Sequence, residues 1–243
     1  MDAPRPRILL IPWLTELEWR IGPLIEEWGE VTSFDAPGVG ALKAEKFSLD
    51  GVAERGLEEL DRHGWDRCVL VADEFAIANA VTIAARRPGA VEAIALGHAC
   101  LSFRHEGDRA PVNGELYSAL RRLARTDYRT YARHLTQITQ GAYDEEMTER
   151  YMERVPMDLE AGAESVPDPE TPIGETLKKL DVPLLFAKHD GCLLFTAEGF
   201  ADAAAEFPDA QTVSTAEKPS VSPEFAAALR EFCVRLRDRA AQR

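Results

Sequence analysis

Apolar residues recur along this chain with two alternating spacings. Arg7–Ile11 is a short apolar run, read as a buried strand. Ile21, Leu24, Ile25 and Trp28 then fall at i, i+3, i+4 and i+7, one face of a helix, with Pro23 suited to its first turn. Val31–Phe34 predicts a second strand, followed by the turn-rich loop Asp35-Ala36-Pro37-Gly38-Val39-Gly40. Leu49–Leu60 reads as a helix, Cys68–Val71 as a strand, Ile77–Arg87 as a small-residue helix stopped by Pro88, and Val91–Leu96 as the next strand. Strands that alternate with helices in this way predict a parallel sheet with right-handed crossovers.

From about Ser102 to Lys179 the strand signal disappears. Leu116, Leu120 and Leu123 form one helical stripe, Tyr131, His134, Leu135 and Ile138 a second, and Tyr143, Met147 and Tyr151 a third, in a charged block broken by several prolines. The α/β rhythm then returns with a strand at Val182–Ala187, a helix at Ala197–Phe207 and a strand at Gln211–Ser214. Phe225, Ala228, Leu229, Phe232, Cys233 and Leu236 mark a closing amphipathic helix. A helical block between two parts of one sheet is read as a lid: residues 102–179 as the cap, 1–101 and 180–243 as the core.

The composition is that of an ordinary globular chain. It has 243 residues, of which 45% are hydrophobic. No apolar run approaches the ~20 residues of a membrane span, and the first strand is too short for a signal-peptide core. The expectation is a soluble, cytoplasmic protein. Lys plus Arg number 28 against 42 Asp plus Glu, a net charge of −14. This argues against nucleic acid or an anionic membrane as a partner, since both require a basic face. Four cysteines without paired spacing, at 68, 100, 192 and 233, are expected to be free thiols.

The chemistry concentrates where the Cys68–Val71 strand turns into its helix. Strand, sharp turn and helix are the setting of the G-x-S-x-G nucleophile elbow; here the five positions read Ala72-Asp73-Glu74-Phe75-Ala76. The outer positions are still small, while a carboxylate stands where the serine would be. With Leu9–Trp13, the D-x-P-G-x-G sequence at Asp35–Gly40, the Arg86–Val91 segment and Asp181–Phe186 following in order, the chain resembles the α/β-hydrolase superfamily over nearly its whole length. That resemblance implies a mostly parallel sheet flanked by helices with a helical lid after the fourth strand. The chain starts on what would be the third strand of the full family sheet, so about six strands are expected. It also implies a small-molecule substrate. Three positions depart from the family pattern: Pro12-Trp13 replaces the oxyanion turn's glycine, Glu74 replaces the nucleophile, and Thr215–Ser220, where the catalytic histidine should follow the last strand, contains none.

Ligands of open α/β sheets bind beyond the carboxyl ends of the strands. Glu74, His98 and Asp190 fall there and are the candidate catalytic residues. Glu74 is read as a general acid/base under an apolar lid, with His98 as its partner from the neighbouring strand and Asp190 or Cys192 near the family's acid position. Pro12, Trp13, Asp73, Phe75, His189 and Cys192 are the expected substrate contacts. Nucleophilic attack by Glu74 through an ester, and a site without chemistry in which Glu74 is merely solvated, are the competing readings. Neither a metal nor a cofactor is required. The leading expectation is a cofactor-independent cyclase, lyase or isomerase acting on a small apolar molecule in a specialised biosynthetic setting. The alternatives are an inactive binding or scaffolding protein and an atypical hydrolase using Glu74. A homodimer is compatible with the sequence, which does not fix the oligomeric state.

Overall fold

The computed structural model describes residues 5–16, 19–107, 109–140, 145–158 and 168–241. Six strands, β1 (Arg7–Ile11), β2 (Glu30–Ser33), β3 (Cys68–Asp73), β4 (Val91–Gly97), β5 (Leu184–His189) and β6 (Gln211–Thr215), form one sheet in the order β2-β1-β3-β4-β5-β6. All of the pairings are parallel. Among the described residues the α-helices are α1 (Gly22–Glu26), α2 (Leu49–His63), α3 (Ala76–Arg86), α4 (Gly114–Thr126), α5 (Tyr128–Gln140), α6 (Glu145–Arg154), α7 (Ile173–Leu180), α8 (Ala197–Glu206) and α9 (Pro223–Ala241).

A parallel sheet is covered on both faces, so its strands are apolar throughout and their alternation separates two cores. Leu9, Ile11, Leu70, Ala72, Ile94, Leu96 and Phe186 point to the side covered by α2, α3 and the segments from the insert. Ile8, Leu10, Val69, Val71, Ala93, Ala95 and Leu185 point to the other side. There α1 brings Ile25, and α9 brings Phe225, Leu229, Phe232 and Leu236. Each such aliphatic or aromatic side chain contributes about 1.5–3 kcal/mol by leaving water. The central strand β3 is buried along its whole length. Nearly every side chain of α3 is buried too, because its alanines let it approach β3 closely.

The six-stranded parallel architecture agrees with the expectation. The differences are local. The first helix is only five residues long, and Leu24, counted in its apolar stripe, is 38% exposed. The fifth strand starts at Leu184, two residues late: the Pro183 carbonyl already accepts the Ile94 N–H, but proline has no N–H to continue the ladder. Between β4 and β5 the described chain is helical, as read. Ser48 caps α2 and Asn113 caps α4, each side-chain oxygen accepting a first-turn N–H. Tyr143, in the third predicted stripe, lies outside the described residues. The insert is tied to the core at several places: Arg109 pairs with Asp202 and Lys178 with Glu206 at 2.6 Å, and two further ties lie nearer the strand ends. Arg154 on α6 pairs with Asp35 of the turn-rich loop. Val112 bridges Phe195 beyond β5, flanked by Asn113 N–H to Leu194 O at 2.8 Å and Thr196 N–H to Pro111 O at 2.9 Å.

Candidate functional site

The turn after β3 keeps the geometry of a reactive elbow. Glu74 has φ +52°, in the left-handed region, and α3 starts two residues later. That conformation costs a non-glycine residue about 1–2 kcal/mol, and it throws the Glu74 side chain off the end of the strand. The carboxylate does not meet His98. Its Oε2 accepts a hydrogen bond from Lys218 Nζ at 2.9 Å, and the side chains are only 8% (Glu74) and 9% (Lys218) exposed. Lys218 lies just after β6, in the segment where the resemblance places the catalytic histidine. Lys218 is not among the expected site residues; its signal in the sequence is a cation at the base position.

His98 belongs to a second pair. Asp73 and Gly97 are register partners on β3 and β4, so the residue flanking Gly97 faces Asp73 and not Glu74. His98 Nδ1 lies 2.7 Å from Asp73 Oδ1, both groups being buried, and Asp73 Oδ2 accepts the Ser220 N–H at 3.3 Å. Burial opposes the charged imidazole, but the Asp73 charge and hydrogen bond outweigh it, with a contribution from Cys192, and push His98 up to about 10. Burial likewise opposes ionised Asp73. The His98 charge and hydrogen bond, the Lys218 ammonium and the Ser220 N–H overcome that and hold its carboxyl below the usual value. Asp73, Glu74, His98 and Lys218 thus form a closed cluster of two negative and two positive groups.

Two loops converge on this cluster because Gly97 lacks a side chain. A Cβ there would stand 2.5 Å from Asp73 Oδ1 and 2.8 Å from Pro219 Cβ. Gly97→Ala is therefore expected to push apart the His98 and Lys218 loops and lower stability by about 1–3 kcal/mol, read as a lower melting temperature; an unchanged melting temperature would contradict this packing.

The other expected residues sit as follows. Asn79 Nδ2 on α3 donates to the Pro12 carbonyl at 2.8 Å and the Trp13 carbonyl at 3.3 Å, fixing the turn after β1. Trp13 packs on Phe75 with ring centroids 5.2 Å apart, and Phe75 also meets Phe103, Tyr117 and Phe195. The apolar wall is thus an aromatic cluster centred on Phe75. His189 and Cys192 stand near His98, with the two imidazole centroids 6.0 Å apart. Burial, then the His98 charge, lowers the pKa of His189. Asp190 is not brought to the cluster: it is 58% exposed and pairs with Lys188 at 2.8 Å. Asp73, expected at the substrate, instead has both oxygens engaged by the protein.

No family model matches the sequence, and no curated protein matches it. Solved structures do match. A hydrolase from Oleispira antarctica superposes with TM-score 0.76 at 17% identity, over 95% of this chain and 91% of that one. The enol-lactonase from Burkholderia xenovorans LB400 gives 0.69 at 16% identity, over 96% and 92%. A haloalkane dehalogenase variant from Bradyrhizobium elkanii gives 0.71 at 18% identity, over 99% and 92%. At these identities the likeness is one of fold, and the fold is that of the α/β-hydrolases. Among the described residues, no helix is long and apolar enough to cross a membrane.

Proposed function

We propose that this α/β-hydrolase-fold chain is a cofactor-independent proton-transfer enzyme, of cyclase, lyase or isomerase type, for a small, largely apolar carbonyl compound. One observation carries the reading. Glu74, in a strained backbone conformation, and Lys218 form a buried ion pair at the positions where the resemblance places nucleophile and base. Both features cost stability: the strain directly, and the pair through desolvation that its attraction barely repays. A turn selected only for stability would hold glycine and an apolar partner, so the retained strain and charges support a working site.

In this reading the Glu74 carboxylate takes the proton from a carbon next to the carbonyl. The C–H electron pair moves onto the carbonyl oxygen as an enolate, and the Lys218 ammonium offsets the developing charge. Glu74 then returns the proton at another carbon, or the enolate expels a leaving group. The Asp73–His98 pair positions the elbow from below. A serine-type acyl transfer is not part of it, because neither hydroxyl nor imidazole stands at the required positions. Solvent deuterium exchange at the carbons next to the carbonyl, followed by NMR over a panel of small apolar ketones and lactones, tests this. Glu74→Gln is expected to lower exchange by about 100-fold or more; equal rates in the variant would end the proposal.

The aromatic cluster around Phe75, whose rings pack on one another, favours a second reading, a binding or scaffolding protein that has kept the fold. A ligand retained by the wild type and returned unchanged, with the same affinity in Glu74→Gln, would select it.

A further inference from the structure

The ends of β4 and β5 assemble a group of side chains of which the proton-transfer reading uses only His98, as a positioning residue. We infer that His98, His189 and Cys192 form a binding site for a divalent transition metal of the zinc class. Each offers one ligand atom, and these atoms all lie within 4.8 Å of one another. Two imidazoles and a thiolate are a donor set suited to zinc, whose bonds to such atoms are about 2.0–2.3 Å long.

An independent observation points into the same space. The His98 side chain is 2% exposed, and its Nε2 has no hydrogen-bond partner of acceptable geometry. A buried polar atom left in this way costs about 1–3 kcal/mol, which coordination would remove. The other ring nitrogen is held by Asp73 Oδ1 at 2.7 Å. That is the arrangement in which a carboxylate orients a metal-binding imidazole and makes it a stronger ligand.

The surroundings suit an ion more than an organic molecule. The three residues, with Phe195, Thr196 and Lys188, line a cavity of about 70 Å³. A water occupies about 30 Å³, so the space takes an ion with one or two waters as further ligands and excludes a drug-sized molecule. Gly191 leaves room for the His189 ring, since a Cβ there would stand 3.0 Å from its Nε2. The Phe195 N–H donates to Cys192 Sγ at 3.3 Å, support that a thiolate requires. Lys188, the nearby cation, is neutralised by Asp190 at 2.8 Å. On coordination the Cys192 thiol and the His98 Nε2–H both pass their protons to solvent, and the sulfur and nitrogen lone pairs bind the metal; no redox change is involved. An ion so held would link the end of β4 to the loop after β5.

Cobalt(II) titration of chelator-treated protein tests the site without an activity assay. The expected result is one equivalent bound with a thiolate-to-cobalt charge-transfer band, displaced by zinc. Cys192→Ser should abolish the band, and His189→Ala should weaken cobalt binding by about 10-fold or more. Both side chains are only partly buried, and circular dichroism confirms the fold of each variant. Absence of the band in the wild type, or an unchanged band in Cys192→Ser, would overturn the site. So would alkylation of Cys192 by iodoacetamide at the same rate with and without saturating zinc; such a thiol faces His98 as a nucleophile and not as a ligand.

Discussion

Lys218→Met is expected to lower the free energy of unfolding by about 3–5 kcal/mol, the loss that follows when one partner of a buried ion pair is removed and the other is left without its counter-charge. Glu74 is 8% exposed and is held at a turn whose φ of +52° leaves the carboxylate little freedom to reach water. The converse experiment gives the test its sign. Glu74→Gln/Lys218→Met removes both charges and keeps nearly the volume of each side chain, so no uncompensated charge is left buried and most of the loss is expected to be recovered. Urea unfolding of the wild type, the single variant and the double variant measures the coupling directly. A surface pair provides the contrast. Arg87 and Asp61 approach to 2.6 Å with both side chains in solvent, and breaking that bond should change the unfolding midpoint little. If Lys218→Met proved as mild as the surface variant, or if the double variant were no better than the single one, the cluster beneath the elbow would not be the charged, closed unit described here.

The parts of this molecule that repeat with a period were legible in the sequence, and the parts made by single long-range approaches were not. Strand β3 reads as a continuous apolar run because both faces of a parallel sheet are covered, and α3 reads as a helix because its small residues lie against β3. Leu24 shows the limit of periodicity. It keeps the spacing of the stripe but lies at its edge: Ile21 and Ile25 are buried while Leu24 faces outward. At the elbow, Glu74 was visible because a motif fixes its place relative to Ala72 and Ala76. Its partner was not, because Glu74 and Lys218 are 144 residues apart and no local pattern couples them. The pairing of His98 turned on which of two adjacent carboxylates faces β4. Strand ends known only to within a residue or two cannot decide this, whereas the Asp73–Gly97 register does. Asp190 failed to join for a similar reason: the loop after β5 turns it outward to Lys188, and only the backbone path determines that.

In the metal-free protein, stability is expected to fall steadily as pH rises above 6.5. Folded His98 keeps its proton up to about 10, against an ordinary value of 6.5. Between those values the native state binds more protons than the unfolded chain, so the stabilisation is complete below 6.5 and is lost as pH rises toward and through about 10. The slope within the window is on the order of 1.4 kcal/mol per pH unit. Asp73 acts at the opposite end. Its carboxyl is held below 3.8, so its contribution is present above that pH and disappears as pH falls through the lower value. The other buried groups with shifted values act outside this window. The lowered His189 makes stability rise with pH only up to 6.5. The thiols of Cys68, Cys100 and Cys233, which burial pushes up to about 12, add a downward slope only above 9.0. Between pH 6.5 and 9.0 the slope therefore belongs chiefly to His98. Asp73→Asn removes the charge that holds the proton; burial then favours the neutral ring, and the slope in this window should vanish. The variant should thus be most destabilised near pH 6.5 and approach the wild type as pH rises. Urea unfolding across the window, with the imidazole nitrogens followed by NMR, measures both consequences. A wild type equally stable at both ends of the window, or an Asp73→Asn variant with the wild-type slope, would show that the buried imidazole is not charged by its carboxylate neighbour.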